Sequence, residues 1–313
     1  LNIGSEVLNL DKVRFADGIE FTFGNVELPG GERILVVEDT AAFATRYGDD
    51  LNVAGQFEGR LSNAGERIQL EDAAGRLIQD VRYRDGWYGI TDGGGYSLTA
   101  IDPAMSDADG WSKKDAWRTS VYPGGSPGFD DSGVLPNPGA IVINEVLAHS
   151  HDEAADWVEL YNTTSNSIDI GGWYLSDSGS NRTKYRIADG TLLAAGQYLV
   201  LHEGANFGAD SADPGANDPF ALSENGETVY LTSAVGGTLT GYREAEDFGA
   251  SETGVSFGRY YKTSTGNFNF VAMSAPTPWL ANAYPKVGPI VISEIMYHPD
   301  WPALGTYTND QYE

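Results

Sequence analysis

One hexapeptide occurs twice in this chain. Ile141-Val142-Ile143-Asn144-Glu145-Val146 returns 149 residues later as Ile290-Val291-Ile292-Ser293-Glu294-Ile295, each time just after a Pro-Gly or Gly-Pro break. A recurrence at that distance marks two starts of one structural unit, which constrains the fold more than composition does. Further echoes fill the interval. Ser62-Asn63-Ala64-Gly65-Glu66-Arg67-Ile68-Gln69-Leu70 matches Ser223-Glu224-Asn225-Gly226-Glu227-Thr228-Val229-Tyr230-Leu231 at an offset of 161. Leu8-Asn9-Leu10 fits Ile168-Asp169-Ile170 at 160, and Gly31-Glu32-Arg33-Ile34-Leu35-Val36 fits Gly196-Gln197-Tyr198-Leu199-Val200-Leu201 at 165. The offsets drift only by loop-sized amounts, so the reading is one whole unit flanked by two partial ones.

The units read as all-β. Strand-like stretches recur at short spacing, at 20–23, 33–37, 68–70 and 78–83, with counterparts in the second unit. The 39 glycines and 14 prolines, with 12 % aromatic residues, favour short strands joined by tight turns. One helix is expected over Thr40 to Tyr47, with Asp39 capping its first amides and Gly48 ending it. It reads as a lid on a β-sandwich. The expected organisation is a first unit over 1–132 that lacks its opening strand, then a Pro/Gly linker over 133–140. A complete unit follows over 141–283, with a second linker at 284–289 and the opening of a third unit at 290–313. Each whole unit is expected to be a seven-to-nine-strand sandwich.

The balance of 19 Lys and Arg against 45 Asp and Glu gives a net charge of −26, a field that repels nucleic acid and anionic lipid. Divalent cations and solubility in a salty or extracellular medium both fit it. With no cysteine there are no disulfides, thiolate metal sites or cysteine nucleophiles. The longest apolar runs, such as Ile34-Leu35-Val36-Val37 and Tyr198-Leu199-Val200-Leu201, fall far short of the roughly 18 residues of a membrane span. The chain opens at Leu1 without an initiator Met, so a leader already removed or lying upstream is expected.

Three segments in order carry a resemblance: Ile141-Val142-Ile143-Asn144-Glu145-Val146, then Asp156-Trp157-Val158-Glu159-Leu160-Tyr161-Asn162, then Ile168-Asp169-Ile170-Gly171-Gly172-Trp173-Tyr174-Leu175. With Ala195 to Val200 and Leu222 to Leu231 behind them, the second unit resembles a lamin tail domain of the bacterial extracellular kind. The first unit looks like the same domain entered late, with Leu1-Asn2 standing where Tyr161-Asn162 stands. The resemblance implies tandem immunoglobulin-like β-sandwiches, modules of large secreted or surface proteins. It also implies that Glu145, Glu159 and Glu294 are scaffold positions. The chain has no heptad rod and is strongly acidic, which argues against a chromatin role.

Catalytic patterns are weak. Gly124-Gly125-Ser126-Pro127-Gly128 satisfies the G-x-S-x-G spacing of hydrolase nucleophile elbows, but the oxyanion hole needs an N–H on the residue after the serine and Pro127 has none. A Gly-Pro turn is the reading. His149-Ser150-His151-Asp152-Glu153 has the residue types of a transition-metal site, as does His298 alone in the third unit, although loop residues explain them more cheaply. Asp210, Asp213 and Asp218 lie in an oxygen-rich loop and are the candidate calcium ligands, with Asp107, Asp109 and Asp131 in comparable loops and a solvated acidic loop as the competing reading. Trp87, Trp157 and Trp173 read as core residues before they read as a sugar platform. The sequons at Asn162 and Asn181 matter only in a glycosylating host.

The function expected is therefore a non-catalytic structural or adhesive repeat module, extracellular or at the cell surface; its incomplete ends read as those of a window on a longer polypeptide, with head-to-tail assembly into fibres as the alternative. Its expected partners are other copies or neighbouring repeats, with surface glycans as a further class and no nucleic acid or membrane span. The alternative is a calcium- or carbohydrate-binding accessory of a secreted hydrolase, with calcium the one cofactor considered.

Overall fold

The computed structural model describes residues 1–151, 155–287 and 292–297. Asp152, Glu153, His298 and the parts of 290–313 beyond 292–297 lie outside the described residues.

Alternation and its one interruption build the second half. Ile141, Ile143, Val146 and Ala148 join the main core with Val158 and Leu160. They lie on Ile141–Leu147 and Trp157–Asn162, which pair antiparallel with a bulge between Ile143 and Glu145. A bulge inserts one extra residue, so Val146 regains the inward face and both Asn144 and Glu145 lie on the outward one. These strands occupy the middle of a five-stranded sheet in the order Tyr198–His202, Trp157–Asn162, Ile141–Leu147, Phe257–Lys262, Asn267–Ala272. A four-stranded sheet, in the order Tyr185–Arg186, Tyr174–Ser176, Gly226–Val235, Thr238–Gly249, supplies Leu175, Tyr185, Val229 and Leu231 to the same core. The result is the immunoglobulin-like sandwich expected from the sequence. All seven residues of Ile141–Leu147 are buried, which requires the outward face to be covered as well.

In the first half the sheet order is Glu58–Gly59, Ile19–Thr22, Arg14–Asp17, Arg67–Glu71, Leu77–Arg82. Its last four strands follow the same path as the four-stranded sheet of the second half. The small pair Leu8–Asn9 with Glu27–Leu28 has its counterpart in Ile168–Asp169 with Leu192–Leu193. Leu35–Val37 stands where Tyr198–His202 stands, and pairs parallel with Val53–Gln56. A parallel pair needs a crossover, and the helix Thr40–Tyr47 makes it. The caps are those expected: Asp39 Oδ1 accepts from Ala42 N at 2.8 Å, and Gly48, at φ 86°, donates to Ala44 O at 2.8 Å. No helix residue is buried, and Tyr47 donates from its hydroxyl to Gly124 O at 2.7 Å.

Hydrogen bonds repeat with the strands. The buried Asn162 donates to Asn166 O and Leu193 O at 2.8 and 2.9 Å, and Asn2 donates to Glu6 O and Leu28 O at the same distances. Gly196 N donates to Asn162 O and Gly31 N to Asn2 O, at 3.1 and 2.9 Å. Before each long hairpin a glutamate folds back: Glu227 Oε1 accepts from Ser223 N and Glu66 Oε1 from Ser62 N, both at 2.6 Å. The glycine beside it needs its missing side chain. Gly226 and Gly65 sit at φ 93° and 90°, and a Cβ on either would lie within 2.5 Å of the carbonyl oxygen of Phe248 or Tyr83.

The halves meet strand to strand. Gly241 N donates to Val121 O at 2.9 Å and Thr119 Oγ1 donates to Gly241 O at 2.7 Å, and a Cβ on Gly241 would stand 2.0 Å from Ser120 O. The Pro/Gly stretch before Ile141 is docked, with Leu135 packed on the main core and Gly139 N donating to Glu244 at 3.2 Å.

Replacing Asn162 with Ala strands the buried Leu193 carbonyl and removes the bond to Asn166 O, so unfolding free energy should fall by about 1–3 kcal/mol, and Asn2→Ala should act in the same direction. Urea titrations of the two variants beside the parent check this.

Candidate functional site

The outward face of the five-stranded sheet carries the most unusual chemistry in the molecule. Glu145 and Glu159 are directly paired across neighbouring strands and are both fully buried. Like charges opposite each other in a sheet are unfavourable, and burial without partners adds to the cost. Beside Ser256 and Asn144, the partners come from residues 273–287, which leave the edge strand Asn267–Ala272 and run back over this face. Ser256 donates its hydroxyl to Glu145 Oε1, and Thr277 gives Glu145 both its amide and its hydroxyl, the latter at 2.8 Å. Trp279 donates its amide to Glu159 Oε2, and Asn144 Nδ2 reaches Glu159 Oε1 at 2.7 Å. Asn282 completes the clasp, donating to Asn144 O at 3.1 Å and Arg259 O at 2.9 Å while accepting from Asn144 Nδ2 at 2.7 Å.

The strap is held against a backbone preference. Trp279 lies at φ 69°, a left-handed conformation that costs a bulky residue about 1–3 kcal/mol and persists only where surroundings over-determine it. The amide bond to Glu159 is that determinant. Further along, Ser274 N donates to Tyr284 O at 2.8 Å and Lys286 N to Ala272 O at 2.7 Å. Residues 284–287 are thus tied to the sandwich.

Burial pushes Glu145 above the ordinary carboxylate range against the pull of its Ser256 and Thr277 donors. Burial also pushes Glu159 up, to about 7; the Trp279 and Asn144 bonds lower it and the neighbouring Glu145 raises it. Glu159 therefore takes up a proton near neutrality, and Glu145 is shifted in the same direction. Two raised carboxyls side by side have the residue types of an acid–base pair, and here their oxygens face the donors of the strap.

The other expected residues are placed as follows. Ser126 sits in a turn closed by Phe129 N donating to Ser126 O at 3.1 Å. His149 is engaged at both nitrogens, by Ser251 O and Thr253 Oγ1, each at 3.0 Å. Asp213 accepts from Gly215 N, Tyr185 Oη and Asn206 Nδ2, bonds that hold its pKa low although burial acts to raise it. Asp218 accepts from Asn181 at 2.8 Å, and Asp210 is exposed. Among the described residues no group of three or more His, Asp or Glu side chains is close enough to hold a metal. Trp87, Trp157 and Trp173 are all buried, as core residues are, and so is Asn162 of the first sequon.

Sequence reasoning missed the strap. The signal was available: Thr277-Pro278-Trp279 and Asn282 follow Ser126-Pro127-Gly128 and Asp131 at a constant offset of 151.

Residues 135–245 match the family model described as Lamin Tail Domain. No curated protein matches the chain, and no solved structure does. The matched segment contains both strands of the glutamate pair and the whole four-stranded sheet up to Ala245, so this part of the chain is a lamin tail domain, as its motifs indicated.

Because Glu145 and Glu159 bind protons more tightly folded than unfolded, the stability they contribute is complete below the ordinary carboxylate range and is lost as pH rises, through about 7 for Glu159. Glu246, also raised by burial to about 7, adds to that slope. Urea midpoints should therefore decline from pH 5 to pH 8, and Glu159→Gln should flatten the decline, leaving the Glu145 and Glu246 parts.

Proposed function

We propose that the chain is a non-catalytic structural and adhesive stretch of a secreted or cell-surface multidomain protein, built from consecutive lamin-tail-like units. On this reading residues 1–132 form one unit without its opening strands, 141–283 form a whole one, and 290–313 open a third, with short connections at 133–140 and 284–289. The observation that carries the reading is the junction at Gly241. Two backbone-mediated bonds and a contact that admits no side chain turn two sandwiches into one stiff element, which is what a load-bearing or spacing module needs. Tyr96 reinforces it by donating to Leu239 O at 3.3 Å.

The repeated asparagine, glycine and glutamate bonds support treating the first half as a lamin-tail-like unit, since unrelated sandwiches have no reason to share them residue by residue. A net charge of −26 suits an exposed surface module. A calcium- or glycan-binding accessory fits less well: Asp213 already serves three donors, and the buried tryptophans offer no stacking face.

Gly241→Val should break the junction while leaving both cores intact. Small-angle scattering should then give a larger radius of gyration, and the 133–140 stretch should become open to protease. An unchanged scattering curve would overturn the stiff-module reading. Melting temperatures in calcium and in excess chelator should agree, because an ion bound only by the folded state would raise the first. A clear rise in calcium would move the function to the cation-binding accessory.

A further inference from the structure

A lysine and two carboxyl groups meet at one end of the four-stranded sheet of the second half. Lys184 Nζ stands 2.7 Å from Asp177 Oδ1, and the two side chains are only 17 and 18 % exposed. The approach lies outside hydrogen-bond geometry, since Asp177 Oδ1 is buried and accepts no hydrogen bond. Lys184 Nζ also lies 5.5 Å from the ring centroid of Phe220, a residue of the main core. The third member is Glu227, which shares the inward face of its strand with Val229 and Leu231. Burial pushes Glu227 above the ordinary carboxylate range against the pull of the Ser223 amide, and the charges of Asp177 and Lys184 both reach it.

The first half shows the same place without the lysine. Phe15 pairs with Phe21 as Leu175 pairs with Tyr185, so Glu20 stands where Lys184 stands. Glu66 folds back as Glu227 does, yet its Oε1 also accepts from the hydroxyl of Tyr83 at 2.9 Å. In the second half the position of Tyr83 is held by Phe248, which has no hydroxyl. Glu227 keeps the Ser223 amide at 2.6 Å and has a lysine and an aspartate for neighbours instead. The lysine and the missing hydroxyl go together, which an ordinary surface ion pair does not require. Lys113 with Asp107 and Lys286 with Glu252 are such surface pairs, each with at least one partner more than half exposed.

An ion pair taken out of water loses hydration on both charges, and its attraction offsets that loss only with further hydrogen bonds. The neutral forms, an amine and a carboxylic acid, escape the penalty. Held in contact, they also have the effective concentration of an intramolecular reaction. We propose that Lys184 and Asp177 are a modification site at which the chain joins itself, through an amide between Lys184 Nζ and Asp177 Cγ. The ammonium first passes a proton to the Asp177 carboxylate. Nζ then attacks Cγ, Glu227 takes a proton from the nitrogen and gives one to the departing hydroxyl, and one water leaves. One C–N bond forms and one C–O bond breaks, with no oxidant or reductant, and two opposite charges become a neutral link. The link ties the turn over 178–183 across Tyr174–Ser176 and Tyr185–Arg186, the pair at the edge of the sheet, against fraying.

The intact mass of the purified 313-residue chain tests this. The parent should be lighter than its sequence by one water. After trypsin, residues 183–186, uncut at Lys184, should remain attached to the peptide that carries Asp177. Lys184→Arg keeps the cation but offers no amine to attack with, because a guanidinium stays protonated. Glu227→Gln keeps an acceptor for the Ser223 amide and loses the proton carrier. Both variants should show the full sequence mass, and near-ultraviolet circular dichroism like that of the parent shows that they are folded. A parent at full sequence mass would overturn the proposal, and so would a water loss that persists in Lys184→Arg, since the dehydration then lies elsewhere. A link that forms unchanged in Glu227→Gln would overturn the proton transfer assigned to Glu227. The scattering experiment at Gly241 reads a different quantity, so the link and the stiff-module reading stand or fall separately.

Discussion

Two carboxylates buried on the outward face of a sheet set the terms for the rest of the second sandwich. Glu145 and Glu159 sit side by side because a bulge turns Asn144 and Glu145 out together and the strand pairing brings Glu159 alongside. Nothing in an ordinary sandwich face would accept them. They are tolerable because residues 273–287 return over the sheet and aim backbone amides and hydroxyls at their oxygens. The strap, in turn, has little reason of its own to lie there, and it carries Trp279 in a strained conformation. Each element is unfavourable alone and stable only with the other, so closing the strap and burying the pair form one cooperative event.

The same dependence explains the first half. Its core is thinner, with Ile19, Phe23, Leu28, Val37 and Val121 among its few fully buried apolar residues, while the clustered core lies wholly in the second half. What remains is the four-strand path, the small strand pair, the helix crossover and the turn of the strap. These are held by local bonds such as those of Asn2 and Glu66, and by the junction at Gly241.

Much was legible in the residues alone. The repeat offsets, the strand alternation, the helix caps at Asp39 and Gly48 and the lamin-tail motifs follow from local chemistry: a capping carboxylate, a glycine that must adopt positive φ, an apolar residue at every second position. Those signals are readable because each is satisfied within a few residues. The reading of Glu145 and Glu159 as scaffold positions came instead from the resemblance to lamin tail domains.

What only the tertiary structure decided lies at long range. That Glu145 meets Thr277, 132 residues away, depends on a bulge whose effect is visible only once Trp157–Asn162 is paired beside it. That Gly241 must be glycine depends on Thr119 and Ser120 of the other half, whose oxygens a Cβ there would meet at 2.5 and 2.0 Å. Likewise Ser126 reads locally as part of a Gly-Pro turn, and its likeness to Thr277 has meaning only when the sheet shows what Thr277 holds. The sequence by itself determined the strand segments, the helix and their turns, because those rest on periodicity and short-range hydrogen bonding. The buried charge pair, its strap and the junction were decided by packing, because their energies depend on which distant groups are brought out of water together.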